Sequence, residues 1–219
     1  MITEATIFVS NYEETLEFYK NLFKNIITET SSQQFQINVQ WNTLKILEEE
    51  RDEKPYYHFC FLIPKSHFKQ AKEYVSKIVP LNTKDGEDEI SFMEEIQSFY
   101  FYDPSENIVE FMGKDSVDDP VNDIFAPEEV LALNEMSLVT NNLEKTATKL
   151  HDKGIIEKEP SEFKASGLIF VSSDNTTVLL SATERTWLFS DKYAKVFPQE
   201  INIDGKKIVV TQDKKIQIS

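Results

Sequence analysis

NEMSLVTNNLEKTATKL (134–150) lies over TEATIFVSNYEETLEFY (3–19) without a gap. Glu135 falls on Glu4, Asn142 on Asn11 and Thr146 on Thr15. In the earlier copy, residues 2–9 alternate and are rich in β-branched types, which predicts a strand. Asn11 then stands at an N-cap, with Glu14 at the third helical position to complete a capping box. Tyr12, Leu16, Tyr19, Leu22 and Phe23 follow at helical spacing. Both copies therefore read as strand, tight turn, helix. Internal repeats decide the fold class and take precedence over local propensity.

Working outward, three short strand-like runs follow the first helix, at 25–30, 34–41 and 43–48. EEERDEKP (48–55) reads as a charged linker. The pattern restarts at YYHFCFLIP (56–64), with Ser66 as a cap and Phe68, Ala71, Val75 and Ile78 as a helix face. NTKDGEDE (82–89) is an acidic loop, a solvated segment or a lid. Strands are predicted at 90–93, 97–102 and 107–112, the last two joined by an Asp-Pro turn. KDSVDDPVNDIFAPEEV (114–130) is acidic, holds two prolines and reads as a linker. After the third helix, strands are expected at 155–158, 167–172 and 176–181, and in the tail near 200–203 and 207–211.

The chain is thus built of βαβββ units starting near 2, 56 and 133. One such unit cannot cover both faces of its sheet, whereas two paired units give a curved sheet around a cleft. The expected class is α+β: paired βαβββ modules forming a curved mixed sheet, plus a third βαβββ-like module with a short β tail. The expected divisions are a two-module domain at 1–115, an acidic linker at 116–130, and the third, incomplete module with its tail at 131–219.

Composition narrows the functional classes. The 219 residues carry a formal net charge of −15, which argues against nucleic acid, since phosphate backbones are bound through clustered Lys and Arg. No apolar run approaches a membrane span, and MITEATIFVSN lacks the basic start and apolar stretch of a signal peptide. With 5 glycines and neither GxGxxG nor GxxxxGK, dinucleotide and P-loop chemistry are disfavoured; no GxSxG supports a serine triad. The single Cys60 rules out an intramolecular disulfide, and a cytoplasmic location is expected.

FYFYDPSENIVEFMG (99–113), with VSNYEETLEFYKNLF (9–23) and HFCFLIP (58–64), resembles the vicinal oxygen chelate superfamily of glyoxalase I, extradiol dioxygenases, fosfomycin-resistance transferases and bleomycin-resistance proteins. The matching pattern is an aromatic strand, an Asp-Pro turn, an Asn and a strand with Glu between apolar residues. The resemblance implies metal ligands on the first and last strands of each module. By position these are Glu4, His58 and Glu110, with Lys45 at the fourth place, where an ammonium cannot ligate. Side-chain alternation puts Glu4, His58 and Glu110 on the faces opposite Ala5, Ile7 and Val9, then Phe59, Phe61 and Ile63, then Val109 and Phe111.

A His with two carboxylates suits Mn, Fe, Ni or Zn with open positions for a substrate chelating through two oxygens. The implied activity is a metal-dependent lyase, transferase or dioxygenase acting on a small molecule, with Glu110 or Glu4 as base. The alternative is a metal-free small-molecule binding or resistance protein, with Glu110 paired to Lys45. Lys45, Cys60, Tyr100 and Tyr102 are the candidate substrate contacts, although Cys60 reads far more readily as an inert buried thiol than as a nucleophile. Glu135 sits at the first-strand position of the third module, but TTVLLSA (176–182) offers no Glu, so no metal is expected there. That module is expected to pack on the first domain or to pair with another chain in a homodimer. Arg185 and Trp187 would close its open cleft, Trp187 as an apolar plug. His67 is expected to be exposed, and His151 to face the end of the third helix dipole.

Overall fold

The computed structural model describes residues 1–92, 95–115, 123–156, 167–173 and 176–219. The first unit comprises β1 (Ile2–Val9), α1 (Tyr12–Phe23), β2 (Ile27–Ser31), β3 (Gln34–Asn38) and β4 (Thr43–Glu48). The second comprises β5 (His58–Pro64), α2 (Phe68–Ser76), β6 (Ile90–Phe92), β7 (Ile96–Tyr102) and β8 (Ile108–Lys114). The third has β9 (Ala132–Thr140), α3 (Leu143–Asp152), β10 (Leu168–Ser173) and β11 (Thr176–Ala182). The tail adds β12 (Gln199–Ile203), β13 (Lys206–Val210) and β14 (Ile216–Ile218). The expected strand at 155–158 falls partly outside the described residues, as does the end of that at 90–93. Among the described residues, no helix is long and apolar enough to cross a membrane.

The class is α+β, with two curved seven-stranded mixed sheets. Their strand orders differ from the pairing expected of the units. One sheet runs β14-β13-β12-β1-β4-β3-β2, the other β10-β11-β9-β5-β8-β7-β6. The first and second units, expected together in a domain over 1–115, contribute to separate sheets. The free edge of β1 is taken by the tail strand β12, antiparallel, and that of β5 by β9, antiparallel. The third unit therefore completes its sheet with the second unit of its own chain. Nor are residues 123–130 a free linker: Phe125, Pro127, Glu129 and Val130 are buried, and the Leu131 amide donates to the Leu62 carbonyl at 2.9 Å.

The apolar faces read from alternation form the main core. Ala5, Ile7, Val9, Phe59, Phe61, Ile63, Val109 and Phe111 are all buried in one cluster with the helix faces. Helix α1 of the first unit packs on the sheet of the second: the Phe23 ring lies 5.0 Å from Phe61 and 6.1 Å from Phe111. One aromatic layer thus joins the two sheets, leaving the opposite face of β5 and β8 free to line a cleft.

The Asp-Pro turn locks this arrangement. Asp103 accepts hydrogen bonds from the Ser105 and Asn107 amides (3.0 and 2.9 Å), from Asn107 Nδ2 (2.7 Å) and from the Tyr19 hydroxyl on α1 (2.9 Å). The expected capping box at Asn11 is not formed. Asn11 Nδ2 donates instead to the Pro104 carbonyl, so its side chain holds the turn rather than the helix. Asn142 does cap α3, accepting from the Lys145 amide at 2.9 Å. Ser66 is no cap either: it lies in a 3₁₀ turn, Lys65–His67, that precedes α2. Asp103→Ala strands several buried donors at once. It is expected to cost about 3 kcal/mol of stability, read as a lower urea midpoint at unchanged slope.

Candidate metal centre

Three neighbouring strands bring three donors together. In β5 and β8, which run parallel, Cys60 stands opposite Glu110; in the antiparallel ladder of β5 and β9, Cys60 stands opposite Glu135. His58 is two residues before Cys60 on the same face. His58 Nε2 lies 3.4 Å from Glu110 Oε2 and 4.0 Å from Glu135 Oε2, and one donor atom from each residue falls within 4.8 Å of the other two. All three residues are buried.

The imidazole is aimed. Its Nδ1 sits 3.0 Å from the Ile108 carbonyl, which can only accept, so Nδ1 carries the proton and Nε2 presents a lone pair to the carboxylates. Burial pushes His58 down to about 4, the Ile108 carbonyl acting against this and Arg185 with it. Burial pushes Glu110 up to about 7, against the hydroxyls of Ser98 and Tyr100 beside it. Glu135 is pushed up by burial and then by the charge of Glu110. Two carboxyls and an unprotonated ring nitrogen thus converge, and among the described residues no Lys or Arg forms an ion pair with either carboxyl. Buried carboxylates without a cation are costly. A divalent ion would match this donor set, in which the second ring nitrogen is already fixed by a backbone acceptor.

Next to the triad lies a cavity of about 350 Å³. Its walls include Tyr100, Met112, Leu179 and Trp187, with the exposed Phe92 and Phe170 at its rim. The Trp187 ring lies 5.1 Å from the His58 ring, and Phe189 stacks on Tyr100 at 4.9 Å. Leu179 explains why three donors converge here and not four. In β9 and β11, Glu135 pairs with Thr177, and Ser137 with Leu179. In β5 and β8 the matching pairs are His58 with Ile108, and Cys60 with Glu110. Leu179 therefore holds the place in the third unit that Glu110 holds in the second.

The other expected residues distribute as follows. Glu4 lies in the other sheet, where its Oε2 is 2.7 Å from Lys45 Nζ and its Oε1 accepts from Asn202 Nδ2 at 3.3 Å. The structure does not bring Glu4 to His58, and Lys45 faces Glu4 rather than Glu110. Cys60 is fully buried beneath the triad, against Leu62, Met112 and Ala132, and burial with two neighbouring carboxylates raises its thiol pKa. Tyr100 lines the cavity, but Tyr102 lies outside it, donating to Ser190 Oγ at 2.7 Å. His67, expected to be exposed, is buried with Nδ1 3.1 Å from Glu129 Oε2. The acidic loop is tied to α2, with Lys72 Nζ 2.6 Å from Asp88 and 2.5 Å from Glu89. Glu135 is the ligand candidate not expected at this centre. The overlay of 134–150 on 3–19 placed it at the right strand position; only the sheet pairing shows which cleft it enters.

The chain matches no protein-family sequence model and no curated protein sequence. Among solved structures it is similar to a provisionally assigned dioxygenase from Bacillus subtilis, at 13% identity and TM-score 0.56, over 82% of this chain and 63% of that one. Two shorter proteins match about half of the chain. One is a lactoylglutathione lyase from Agrobacterium tumefaciens, at 18% identity and TM-score 0.43, over 52% of this chain and 92% of that one. The other is the Listeria monocytogenes fosfomycin resistance protein FosX, whose structure holds Mn(II), at 21% identity and TM-score 0.41, over 52% and 89%. At 13% identity the likeness to the Bacillus subtilis protein shows the fold alone. That fold is the one shared by the vicinal oxygen chelate superfamily.

Proposed function

We propose that this protein of vicinal oxygen chelate fold is a divalent-metal-dependent enzyme acting on a small oxygen-chelating molecule. His58 Nε2 and the carboxylates of Glu110 and Glu135 would hold the ion. The observation that carries the reading is the convergence of these three buried donors, with no Lys or Arg among the described residues paired to the carboxylates. Manganese, iron, nickel or zinc bound there would supply Lewis-acid stabilisation of an enolate or oxyanion. The chain's own residues do the rest. The Ile108 carbonyl orients the imidazole, Tyr100 brings a hydroxyl beside Glu110, and Trp187 and the apolar walls exclude water. A lyase, transferase or dioxygenase reaction fits such a site. Cys60, fully buried, suits the reducing conditions of the cytoplasm.

Calorimetric titration of chelator-stripped protein with Mn²⁺, Fe²⁺, Ni²⁺ and Zn²⁺ tests the metal. One ion per chain is expected for at least one of them. Absence of uptake for all four would favour the second reading, a metal-free binder of small apolar molecules, which the aromatic lining of the cavity also suits.

A further inference from the structure

The chain has two arginines, Arg51 and Arg185, among 38 acidic residues. Arg51 is paired, 2.7 Å from Glu49 and 3.4 Å from Glu53. Arg185 is partly buried on the cavity wall, and among the described residues no carboxylate pairs with it. Its contacts are the Thr186 carbonyl, at 3.5 Å from Nη1, and the face of Trp187, 5.8 Å from the ring centre. Burial lowers its pKa, so the guanidinium is partly desolvated, without a counter-charge among the described residues. Trp187 spans the gap: one ring separates this guanidinium from the imidazole of His58.

The charge balance of the cavity follows. A divalent ion on two carboxylates and a neutral imidazole sums to zero, which leaves Arg185 as the uncompensated charge among the described residues of the lining. Around it the wall is apolar, with Phe92, Ile96, Leu168, Phe170 and Leu188. A site of one partly buried cation and apolar walls favours a monoanion with an apolar body, because an uncharged analogue leaves the guanidinium without a counter-charge. A cavity of about 350 Å³ is at the small end of ligand pockets and holds a one-ring molecule.

We infer that Arg185 is the specificity-determining residue of this site, pairing with the carboxylate of a small, apolar, monoanionic acid whose oxygens reach the metal. The metal contact in this statement rests on the function proposed above; the pairing with Arg185 does not. A guanidinium meets a carboxylate through two parallel hydrogen bonds, which a lysine or glutamine cannot reproduce.

The test uses benzoylformate and its uncharged analogue 2-hydroxyacetophenone as probes, by calorimetry on the full chain with and without Mn²⁺. Wild type is expected to bind benzoylformate more tightly than the analogue. Arg185→Gln should weaken benzoylformate by about 10- to 100-fold and leave the analogue unchanged. Arg185 also lines a neighbouring, more open cleft. Leu179→Phe, which narrows the metal-side cavity alone, should therefore weaken benzoylformate as well. Equal affinity for both probes in wild type, an unaltered preference in Arg185→Gln, or full binding in Leu179→Phe would each overturn the inference. Titration with Mn²⁺ alone separates the two readings. If wild type takes up no Mn²⁺ the metal is lost, yet an Arg185-dependent preference for the anion still supports the pairing.

Discussion

Glu135→Gln is expected to abolish stoichiometric Mn²⁺ uptake, while Glu4→Gln leaves it intact. The two residues occupy the same place in their repeats, and only their sheet neighbours differ. Glu135 faces His58 and Glu110 across β5. Glu4 faces Lys45, which already neutralises it. Removing one of three charged or neutral donors should weaken binding by more than about 100-fold, the upper end of what a change in an outer hydrogen-bond partner causes. Folding offers a control. In the metal-free protein Glu135 is a buried carboxyl beside another, so its amide should fold at least as stably. Loss of metal with an unchanged or raised Tm would thus report the ligand, not unfolding. Titration calorimetry and thermal melts on both variants check this; retained uptake in Glu135→Gln would contradict the triad.

The fold is visible in the sequence because each βαβββ unit carries its own local signals. Alternation in ITEATIFV and HFCFLIP places the apolar face, and the Asp103–Asn107 turn closes its own hydrogen bonds. The site is only half visible for the same reason. His58 and Glu110 belong to one unit and are brought together by a parallel pair within it. The third donor comes from whichever unit takes the free edge of β5. The first strands of units one and three have the same alternation and the same glutamate, so nothing local separates them as partners. The choice is made by tertiary packing: α1 lies on the far face of the second unit's sheet, β12 occupies the edge of β1, and β9 remains to fill the edge of β5. Asn11 and Asn142 show a milder form of the same limit. Both stand at N-caps, but the Pro104 carbonyl draws the first away from its helix. His67, which reads from the sequence as a surface residue at a helix start, is buried by the 123–130 segment folding back with Glu129.

Mn²⁺ affinity should rise steeply with pH, and the slope should break near neutrality. In the metal-free protein Glu110 is pushed up to about 7, Glu135 is also raised, and His58 is pushed down to about 4. At pH 6 Glu110 therefore holds its proton and the imidazole holds none on Nε2, while burial and the charge of Glu110 favour the protonated form of Glu135 as well. The ion needs both carboxylates ionised, so uptake below pH 7 must displace the proton on Glu110. Above pH 7 Glu110 is already ionised, and that proton no longer has to leave. Apparent affinity should climb by at least about tenfold per pH unit below 7 and less steeply above it. Stability in the absence of metal moves the other way. A carboxyl raised above its unfolded value of 4.5 contributes stability at low pH that is lost as pH rises through 7. His58, lowered from 6.5 to about 4, opposes Glu110 over their shared range, each worth about 3 kcal/mol at full extent. The two nearly cancel, which leaves the loss from Glu135. The rise in Tm on adding Mn²⁺ should accordingly be small at pH 5.5 and large at pH 8. Glu135→Gln should remove the pH dependence of that rise along with the rise itself. A Tm increment independent of pH would mean that the ion, if bound, sits away from these carboxyls.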